Sequence, residues 1–545
     1  MTLRVIRSSA GFDPTTLWPG KDLVLDLDPE HALVLPEGVA VDDHLEQSAR
    51  IAIDDAARQN LAFWRRTRGA DICVDGTDLG HIAEVELIAR CFLPAERLRR
   101  ALVAIGAAGQ IEAYGFDAAA LHALRDLAPS SCIVSGAPAA PLAPPTRAGR
   151  RTALVNLIER TAIRPWVRGE ILCVPYWHLT GVYSRLAHRR PGPRLVPVGV
   201  GLAGLDAATV ASVLARGGWG GNVGAAARTR SRARVATQLG ALSDAGGLDR
   251  WARDVLLRVG GGGPAEVAHA RRMLDGRARL IVVPFDSPEQ QRPLLAAARE
   301  QGVPSLVVQH GYDAELGDPD KTLAGHVAVW SPRDRTVLET LADGRIAVTG
   351  NPGADELQIT DPVARGRRRT VVLVEYPGRL SSRVDQRIGL RHVAVALDGL
   401  ARSRPGTVAV IRPHPADGSA VSYPRALAGI GGTLQLAFDS RTPIESLLGT
   451  ADLCVGALST ATLQSAASGL ATVFLDVSGT HRPWPFDGSP GAIPVVRSAA
   501  ELADVVRDVL SVASPPGAAA AREALGATGT GTDAVIALIG SLLAP

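Results

Sequence analysis

Short apolar runs alternate with amphipathic segments along most of the chain, in the order expected of a parallel α/β protein. The runs LIVVPF, SLVV and TVAVIR predict buried strands at Leu280–Phe285, Ser305–Val308 and Thr407–Arg412. Between the first two, Pro288–Gln301 has apolar residues at helical spacing, begins with proline and ends at Gly302. Strands that alternate with helices in this way form a parallel sheet with both faces covered.

The alternation falls into two successive units, which predicts an α/β fold with two Rossmann-like domains facing a cleft. We expect an amino-terminal α/β region at 1–134, a linker or loop at 135–150, the rest of the first Rossmann-like domain at 151–350 and the second at 351–545. The linker is predicted from SGAPAAPLAPPTRAG, whose prolines and glycines interrupt both helix and strand. Ligands bind at the carboxyl ends of parallel strands, so the cleft is the expected site.

Composition narrows the class of protein. Among 545 residues, 58 Lys and Arg oppose 55 Asp and Glu, and the net charge of +3 is too small for a dedicated nucleic-acid binder. With 46% hydrophobic residues the chain is not disordered, and no apolar run reaches the roughly 18 residues of a membrane-spanning helix. The first residues lack an apolar signal segment, so a cytoplasmic location is expected. The 5 cysteines form no Cys-x-x-Cys pair, which disfavours zinc and redox sites.

A histidine between two prolines follows one of the buried strands, in Arg412-Pro413-His414-Pro415. The proline rings fix the backbone on both sides, so the imidazole is held at the rim of the sheet at little entropic cost. A protonated His414 beside Arg412 makes a compact anion site suited to a nucleotide phosphate. The alternative is a rigid turn in which the histidine only packs.

A second candidate anion site begins at Ser459-Thr460, where a strand leads into a helix. The unpaired N–H groups and the dipole at such a helix start bind anions, although serine and threonine are also ordinary helix caps. Because both motifs follow strands of the same unit, one phosphate could bridge them. The loop Tyr376–Ser382 follows another strand of that unit, and Arg379 within it is expected to reach a phosphate.

Candidate acid–base groups lie in the first Rossmann-like unit. His310, in Gln309-His310-Gly311, follows a buried strand and is a candidate general base toward an acceptor hydroxyl. Asp286 follows the preceding strand and either orients His310 or serves as the base in its place. A buried histidine with satisfied hydrogen bonds is the alternative. Asp75 and Trp219 are candidates for binding the acceptor, with ordinary turn roles as their alternative.

Several of these segments resemble known proteins. Residues 287–355 resemble a recurring stretch of bacterial two-Rossmann-domain (GT-B) transferases of surface polysaccharides, through Val308-Gln309-His310-Gly311 and Val348-Thr349-Gly350-Asn351-Pro352. The RPHP and Ser459-Thr460 segments resemble the His-Pro and Ser/Thr motifs of bacterial sialyltransferases and Kdo transferases, which hold the CMP phosphate and need no metal. His310-Gly311 also resembles the His-Gly motif of CDP-glycerol glycerophosphotransferases. The acidic Asp/Glu-Asp/Glu-Gly motif of the sialyltransferases has no match here, so the base stays open between His310 and Asp286.

The resemblance implies a metal-independent glycosyltransferase of cell-surface glycan biosynthesis without a cofactor, whose donor is a CMP-activated nonulosonic acid or Kdo-type sugar. Its acceptor would be a glycan or a lipid-linked molecule, with peripheral attachment to the inner face of the membrane. The alternatives are a CDP-alditol phosphotransferase, an enzyme similar to UDP-GlcNAc 2-epimerase, and a non-catalytic protein that binds sugar nucleotides.

Overall fold

The fold is taken from a computed structural model that describes most of the chain. The described residues are 2–6, 22–27, 41, 47–104, 110–114, 116, 118–128, 132–136, 165–198, 205–221, 223–243, 246–275, 277–286, 291–311, 324–339, 345–357, 371–376, 397–402, 404–413, 434–439, 442, 444–476, 484–512, 514–527 and 529–544. The predicted linker at 135–150 lies outside this set except for its first two residues. None of the helices in the described part of the chain is long and apolar enough to span a bilayer.

The amino-terminal region contains a small parallel sheet. Strands are Thr2–Ile6 (β1), Asp22–Asp26 (β2), Cys73–Val74 (β3), Thr77–Asp78 (β4), Gln110–Tyr114 (β5) and Ile133–Ser135 (β6). The order β2-β1-β5-β6 is parallel throughout, and β3 and β4 form a separate hairpin. The helices are Gln47–Arg68, Leu79–Ile82, Glu84–Leu87, Leu93–Ala104 and Ala118–Leu127, with a π-helical turn at Ile88–Phe92.

The middle of the chain forms the first of two six-stranded sheets. Its strands are Trp166–Val167 (β7), Ile171–Cys173 (β8), Leu195–Pro197 (β9), Gly218–Trp219 (β10), Leu280–Val283 (β11), Ser305–Val308 (β12), His326–Val329 (β13) and Ile346–Val348 (β14). The parallel order is β14-β13-β12-β11-β8-β9, with β7 and β10 paired apart from it. Helices here are Thr180–His188, Ala207–Arg216, Ala225–Gln238, Gly247–Arg258, Gly263–Leu274, Arg292–Gln301 and Pro332–Glu339.

The carboxyl-terminal part forms the second six-stranded sheet. Its strands are Val371–Tyr376 (β15), Val408–Pro413 (β16), Gln435–Phe438 (β17), Leu453–Gly456 (β18), Ala471–Leu475 (β19) and Val495–Val496 (β20). The order β17-β16-β15-β18-β19-β20 is parallel and is the strand order of a Rossmann fold. Helices lie at 397–402 and at Ile444–Leu448, Thr460–Ala467, Ala499–Ser511, Ala518–Ala524 and Gly531–Leu543. The two six-stranded sheets confirm the predicted fold class.

Hydrophobic cores cross the domain boundaries expected from the sequence at two places. Val235, Trp251 and Val255, on the helices Ala225–Gln238 and Gly247–Arg258, are buried in the core of the amino-terminal sheet. The last helix, Gly531–Leu543, packs on the middle sheet through Val535 and Ile539. Boundaries at residues 134 and 350 therefore separate these helices from the sheets that they cover. Chain order alone does not show that a later segment packs on an earlier sheet.

The units that contain the two six-stranded sheets meet at a buried tryptophan. Trp330 follows β13 and is 1% exposed. It belongs to one hydrophobic cluster with Leu463 and Ala466, which lie on the helix that follows β18. Since Trp330 follows the carboxyl end of β13, this cluster joins that end of the middle sheet to the second unit.

The chain crosses between these two units twice, and hydrogen bonds join the two crossing segments. The N–H of Asn351 donates to the carbonyl of Gly526 (3.2 Å). The carboxylate of Asp355 accepts from the N–H groups of Gly531 and Thr532 at 2.8 and 2.7 Å. Asp355 thus caps the start of the last helix from the other passage.

Gly526 is the tightest point of this crossing. Its φ of +55° is one that glycine adopts without steric cost, and a Cβ there would lie 2.1 Å from the carbonyl oxygen of Trp330. We expect Gly526→Ala to lower the free energy of unfolding by more than the roughly 1–2 kcal/mol that a left-handed backbone costs alanine. Gly529→Ala is the control, because Gly529 also has a positive φ but a Cβ added to it would meet nothing within 4 Å. Equal losses in chemical denaturation would contradict the close approach.

Candidate functional site

The order of the middle sheet reverses between β8 and β11, and this switch point places the site. From β8 the chain moves outward to β9, whereas β11 to β14 continue in the opposite direction. The connections therefore leave opposite faces of the sheet, which opens a crevice outside the carboxyl ends of β8 and β11. Tyr176 follows β8 and Phe285 follows β11, and their ring centroids lie 5.1 Å apart. Aromatic side chains thus line the crevice.

His310 stands in this aromatic group. Its ring centroid is 4.5 Å from that of Phe285 and 5.6 Å from that of Tyr176, and both rings meet it edge to face. The ring of His178 is 6.1 Å away. Three strand ends, those of β8, β11 and β12, therefore converge on the predicted base. The packed rings restrict the imidazole to few orientations, which favours a defined direction for proton transfer.

Gln309 holds the backbone from which His310 projects. Its side-chain oxygen accepts the N–H of Trp330 at 2.9 Å, and the indole N–H of Trp330 donates to the Gln309 carbonyl at 2.8 Å. Its amide nitrogen donates to the carbonyl of Gly311 at 3.1 Å. Gln309 is 3% exposed. Buried hydrogen bonds of this kind fix the loop after β12, and they connect it to the tryptophan at which the two sheets meet.

His178 is a buried histidine that no sequence motif singled out. It is 2% exposed, and its Nε2 lies 3.3 Å from the carbonyl oxygen of Val308. A carbonyl only accepts, so Nε2 carries the proton and Nδ1 is left as an acceptor. Burial, and next the nearby His310, lower the pKa of His178 to about 3. His178 is therefore a neutral imidazole at neutral pH, and it does not compete with His310 for a proton.

This lowered pKa predicts a pH-dependent stability. The unfolded chain protonates His178 below about pH 6.5 and the folded chain does not, so the free energy of unfolding falls as the pH falls from there toward the lower pKa. The slope is about 1.4 kcal/mol per pH unit for one proton. Urea denaturation measures this change. Between about pH 7.5 and pH 5.5, the free energy of unfolding should fall by about 1 kcal/mol less in His178→Gln than in the parent protein. Parallel losses in the two proteins would contradict the buried neutral imidazole.

Asp286 lies at the same crevice but is held by a buried arginine. The Nε of Arg292 donates to the Asp286 carbonyl at 2.8 Å and lies 3.8 Å from its carboxylate. The carboxylate also accepts from the N–H of Ala324 at 3.4 Å. Arg292 in turn pairs with Glu84 of the amino-terminal region at 2.9 Å, and the two side chains are 4% and 2% exposed. Asp286 is thus engaged in an ion-pair network that joins the middle sheet to the amino-terminal region.

The carboxyl-terminal sheet has its own switch point, between β15 and β18. β15 begins the run that ends at β17, and β18 begins the run that ends at β20. Arg412 of β16, Glu375 of β15 and Gly456 of β18 occupy one row across the carboxyl end of the sheet. The predicted anion-binding segments after β16 and β18 therefore leave the same edge of the sheet. The Nε of Arg412 is buried and has no hydrogen-bond partner among the described residues.

The Ser459 hydroxyl caps the helix Thr460–Ala467. Its Oγ accepts the N–H of Thr462 at 3.1 Å and lies 3.0 Å from the Thr462 hydroxyl. Thr462 packs so close to β18 that a Cβ on Gly456 would lie 2.1 Å from its Oγ1. Ser459 thus has the ordinary capping role, and the N–H groups of the first turn remain the anion-binding element of the prediction.

The two predicted acceptor residues lie apart from each other. Asp75 is in the turn between β3 and β4, with φ of +51°, and its carboxylate is 3.0 Å from Arg234. Trp219 is in β10, and the N–H of the next residue, Gly220, donates to the carbonyl of Pro197 at the end of β9. Trp219 is therefore near the carboxyl edge of the middle sheet, whereas Asp75 belongs to a hairpin of the amino-terminal region. His414, Pro415 and Arg379 lie outside the described residues.

In the described part of the chain, no group of three or more His, Cys, Asp or Glu side chains could hold a metal ion. The metal-independent chemistry expected from the sequence stays a prediction.

Fold and site together define an α/β protein with two Rossmann-like domains, the arrangement of GT-B proteins, with candidate site residues at the carboxyl ends of strands in both sheets. No family profile and no curated protein matches the chain. Solved structures similar to it include UDP-GlcNAc 2-epimerase from Neisseria meningitidis bound to UDP-GlcNAc, with 12% identity over 68% of this chain and 100% of that one and a TM-score of 0.43. The wall teichoic acid polymerase TagF has 10% identity over 69% and 89%, with a TM-score of 0.40. MurG from Acinetobacter baumannii has 11% identity over 68% and 99%, with a TM-score of 0.38. At these values no activity transfers to the chain.

Proposed function

We propose that the protein is a glycosyltransferase of cell-surface glycan assembly that uses a CMP-activated nonulosonic acid or Kdo-type sugar and requires no metal. The observation that carries the proposal is the pairing of two switch points, one with a histidine among aromatic rings and one with an arginine and a helix start at the same strand edge. The first suits an acceptor hydroxyl and the second suits a nucleotide phosphate.

In this mechanism the acceptor oxygen attacks the anomeric carbon of the donor, and the bond from that carbon to the phosphate oxygen breaks. His310 takes the proton of the attacking hydroxyl as the new carbon–oxygen bond forms. CMP leaves with the bonding electrons. Arg412, His414 and the first-turn N–H groups of the helix Thr460–Ala467 stabilise the negative charge that develops on its phosphate.

A nucleotide screen tests the donor class. We expect CMP to raise the melting temperature of the protein more than UDP, GDP or ADP do, because a ligand bound only to the folded state stabilises it. Preference for CDP would redirect the proposal to a CDP-alditol phosphotransferase, and preference for UDP with epimerised UDP-N-acetylglucosamine as product would replace it by an epimerase. If CMP binds tightly but no donor is turned over in the presence of acceptors, the protein is a non-catalytic protein that binds sugar nucleotides.

The phosphate contacts are tested by two substitutions. We expect His414→Ala and Arg412→Ala each to weaken CMP binding by about 1.5–3 kcal/mol, or roughly 10- to 100-fold, the range for a lost charge-assisted hydrogen bond. Arg507→Ala is the control, since that arginine is 67% exposed on the helix Ala499–Ser511. Calorimetric titration measures the three affinities. Unchanged affinity in both site variants would refute the phosphate assignment.

A further inference from the structure

An exposed tryptophan stands at the rim of the crevice outside β8 and β11. Trp177 follows β8, between Tyr176 and His178, and is 46% exposed. Among the tryptophans whose side chains the structure describes, it is the one in the exposed class. Its ring centroid lies 5.3 Å from that of His178 and 6.5 Å from that of Tyr176. A large apolar surface is thus left in water, separated from the His310 ring by the rings of Tyr176 and His178 that contact both.

The indole packs closely against the main chain at Gly353. A Cβ built on Gly353 would lie 2.6 Å from Cζ3 of Trp177 and 3.0 Å from Cβ of His178. The ring therefore rests directly on the short helix Pro352–Ala354, where only a glycine leaves room for it. Tryptophan held in this way keeps a fixed orientation and loses little entropy when a ligand covers it.

Two residues that adjoin the same glycine, Asn351 and His178, each have one buried polar atom without a partner among the described residues. Asn351 is 0% exposed; its Oδ1 accepts the N–H of Gly353 at 2.9 Å, and its Nδ2 has no hydrogen-bond partner among the described residues. The Nδ1 of His178 is likewise buried without a partner in the described part of the chain. The first atom is a donor and the second an acceptor. Both atoms are closed to solvent, so the contact expected of a ligand here is with the exposed face of the indole.

We propose that Trp177, backed by Gly353, is the platform on which a pyranose ring of the acceptor stacks. A sugar ring presents C–H groups on one face, and this apolar face matches the exposed, flat surface of an indole. Tyr176 and His178 contact both the Trp177 ring and the His310 ring, and this shared contact assigns the sugar to the acceptor rather than to the nucleotide. The assignment to an acceptor rests on the proposed function, whereas the stacking itself does not.

Fluorine NMR of protein labelled with 5-fluorotryptophan tests the stacking without any turnover. Trp177→Phe identifies the Trp177 resonance, which is then followed during titration with methyl β-D-galactopyranoside and methyl β-D-glucopyranoside. We expect a saturable shift of that resonance at millimolar glycoside, and no shift with sorbitol, which has the hydroxyls but no ring face. Gly353→Ala should abolish the glycoside shift because the added methyl group displaces the indole, whereas Phe63→Ala, at another exposed aromatic residue, should leave it unchanged.

Three results would overturn this inference: no shift with either glycoside, an equal shift with sorbitol, or a shift with cytidine and CMP in place of the glycosides. Release of CMP from a CMP-sugar is measured separately on the same protein. If the glycoside shift is present and CMP release is absent, the platform stands and the transferase proposal fails. If CMP release is present and the shift is absent, the transferase proposal stands and the platform fails.

Discussion

Alanine in place of His310 is expected to lower kcat by about 10²- to 10⁴-fold, the range for loss of a positioned general base. Nucleotide affinity should change little, because the imidazole stands at the carboxyl edge of the middle sheet while the proposed phosphate contacts belong to the other sheet. Steady-state kinetics with a CMP-sugar donor measures kcat, and calorimetric titration with CMP measures affinity. The prediction therefore separates chemistry from donor binding in one variant.

Loss of packing is the competing explanation, because the His310 ring contacts Phe285 and Tyr176. His310→Asn keeps a polar side chain and tests whether the loss of kcat follows the proton acceptor. His188→Ala is a matched control, since that histidine is exposed at the end of the helix Thr180–His188. A large fall in CMP affinity with kcat preserved at saturation would show that His310 is no base. Activity that disappears only in Asp286 variants would transfer the role to that carboxylate.

Methionine in place of Arg292 is expected to cost about 3–5 kcal/mol of unfolding free energy, because it leaves the buried Glu84 carboxylate without its closest cation. Arg65 also lies 3.5 Å from that carboxylate, but it is shared with Asp78. Chemical denaturation measures the change. The loss should be larger than for any exposed ion pair, whose contribution is typically below about 1 kcal/mol.

The double variant Arg292→Met with Glu84→Leu should recover most of this stability. It removes both charges, whereas the single variant leaves the buried Glu84 carboxylate without Arg292. Arg185→Ala, which removes an exposed pair with Asp533, is the control. A double variant as unstable as the single one would mean that the arginine acts through its bonds to the backbone carbonyls of Asp286 and His81 instead.

The sequence predicted several strands of the two six-stranded sheets to within a few residues, but it missed the edge strand β17. Ser305–Val308 was expected residue for residue, and Leu280–Phe285 exceeds the observed β11 by two residues. The edge strand β17 was not predicted, and its residues Gln435–Phe438 are mostly exposed. An edge strand pairs on one side only, so it needs no continuous apolar run and gives little signal. The helices Ala225–Gln238 and Gly247–Arg258 fall after the linker in chain order, and only packing reveals that they complete an earlier core.

The site residues were predicted from the rule that functional side chains follow the carboxyl ends of parallel strands, and this rule was not applied to every strand. The same rule that selected His310 after β12 selects Tyr176, Trp177 and His178 after β8, where the sequence PYWH follows an apolar strand. By contrast, no local pattern connects Glu84 with Arg292, because the two residues are brought together only when separate regions of the chain pack. The ion pair between Glu84 and Arg292, which also engages Asp286, therefore could not be predicted from the sequence.

Burial of the helices Ala225–Gln238 and Gly247–Arg258 in the amino-terminal core has a consequence for any truncated form of the protein. A fragment that stops before residue 150 lacks Val235, Trp251 and Val255, so it should expose the core of its small sheet and aggregate. A fragment that starts after residue 150 leaves the same three side chains in water on two uncovered helices. Expression of either piece alone therefore reports on an incomplete fold, and studies of separate parts require cuts elsewhere in the chain.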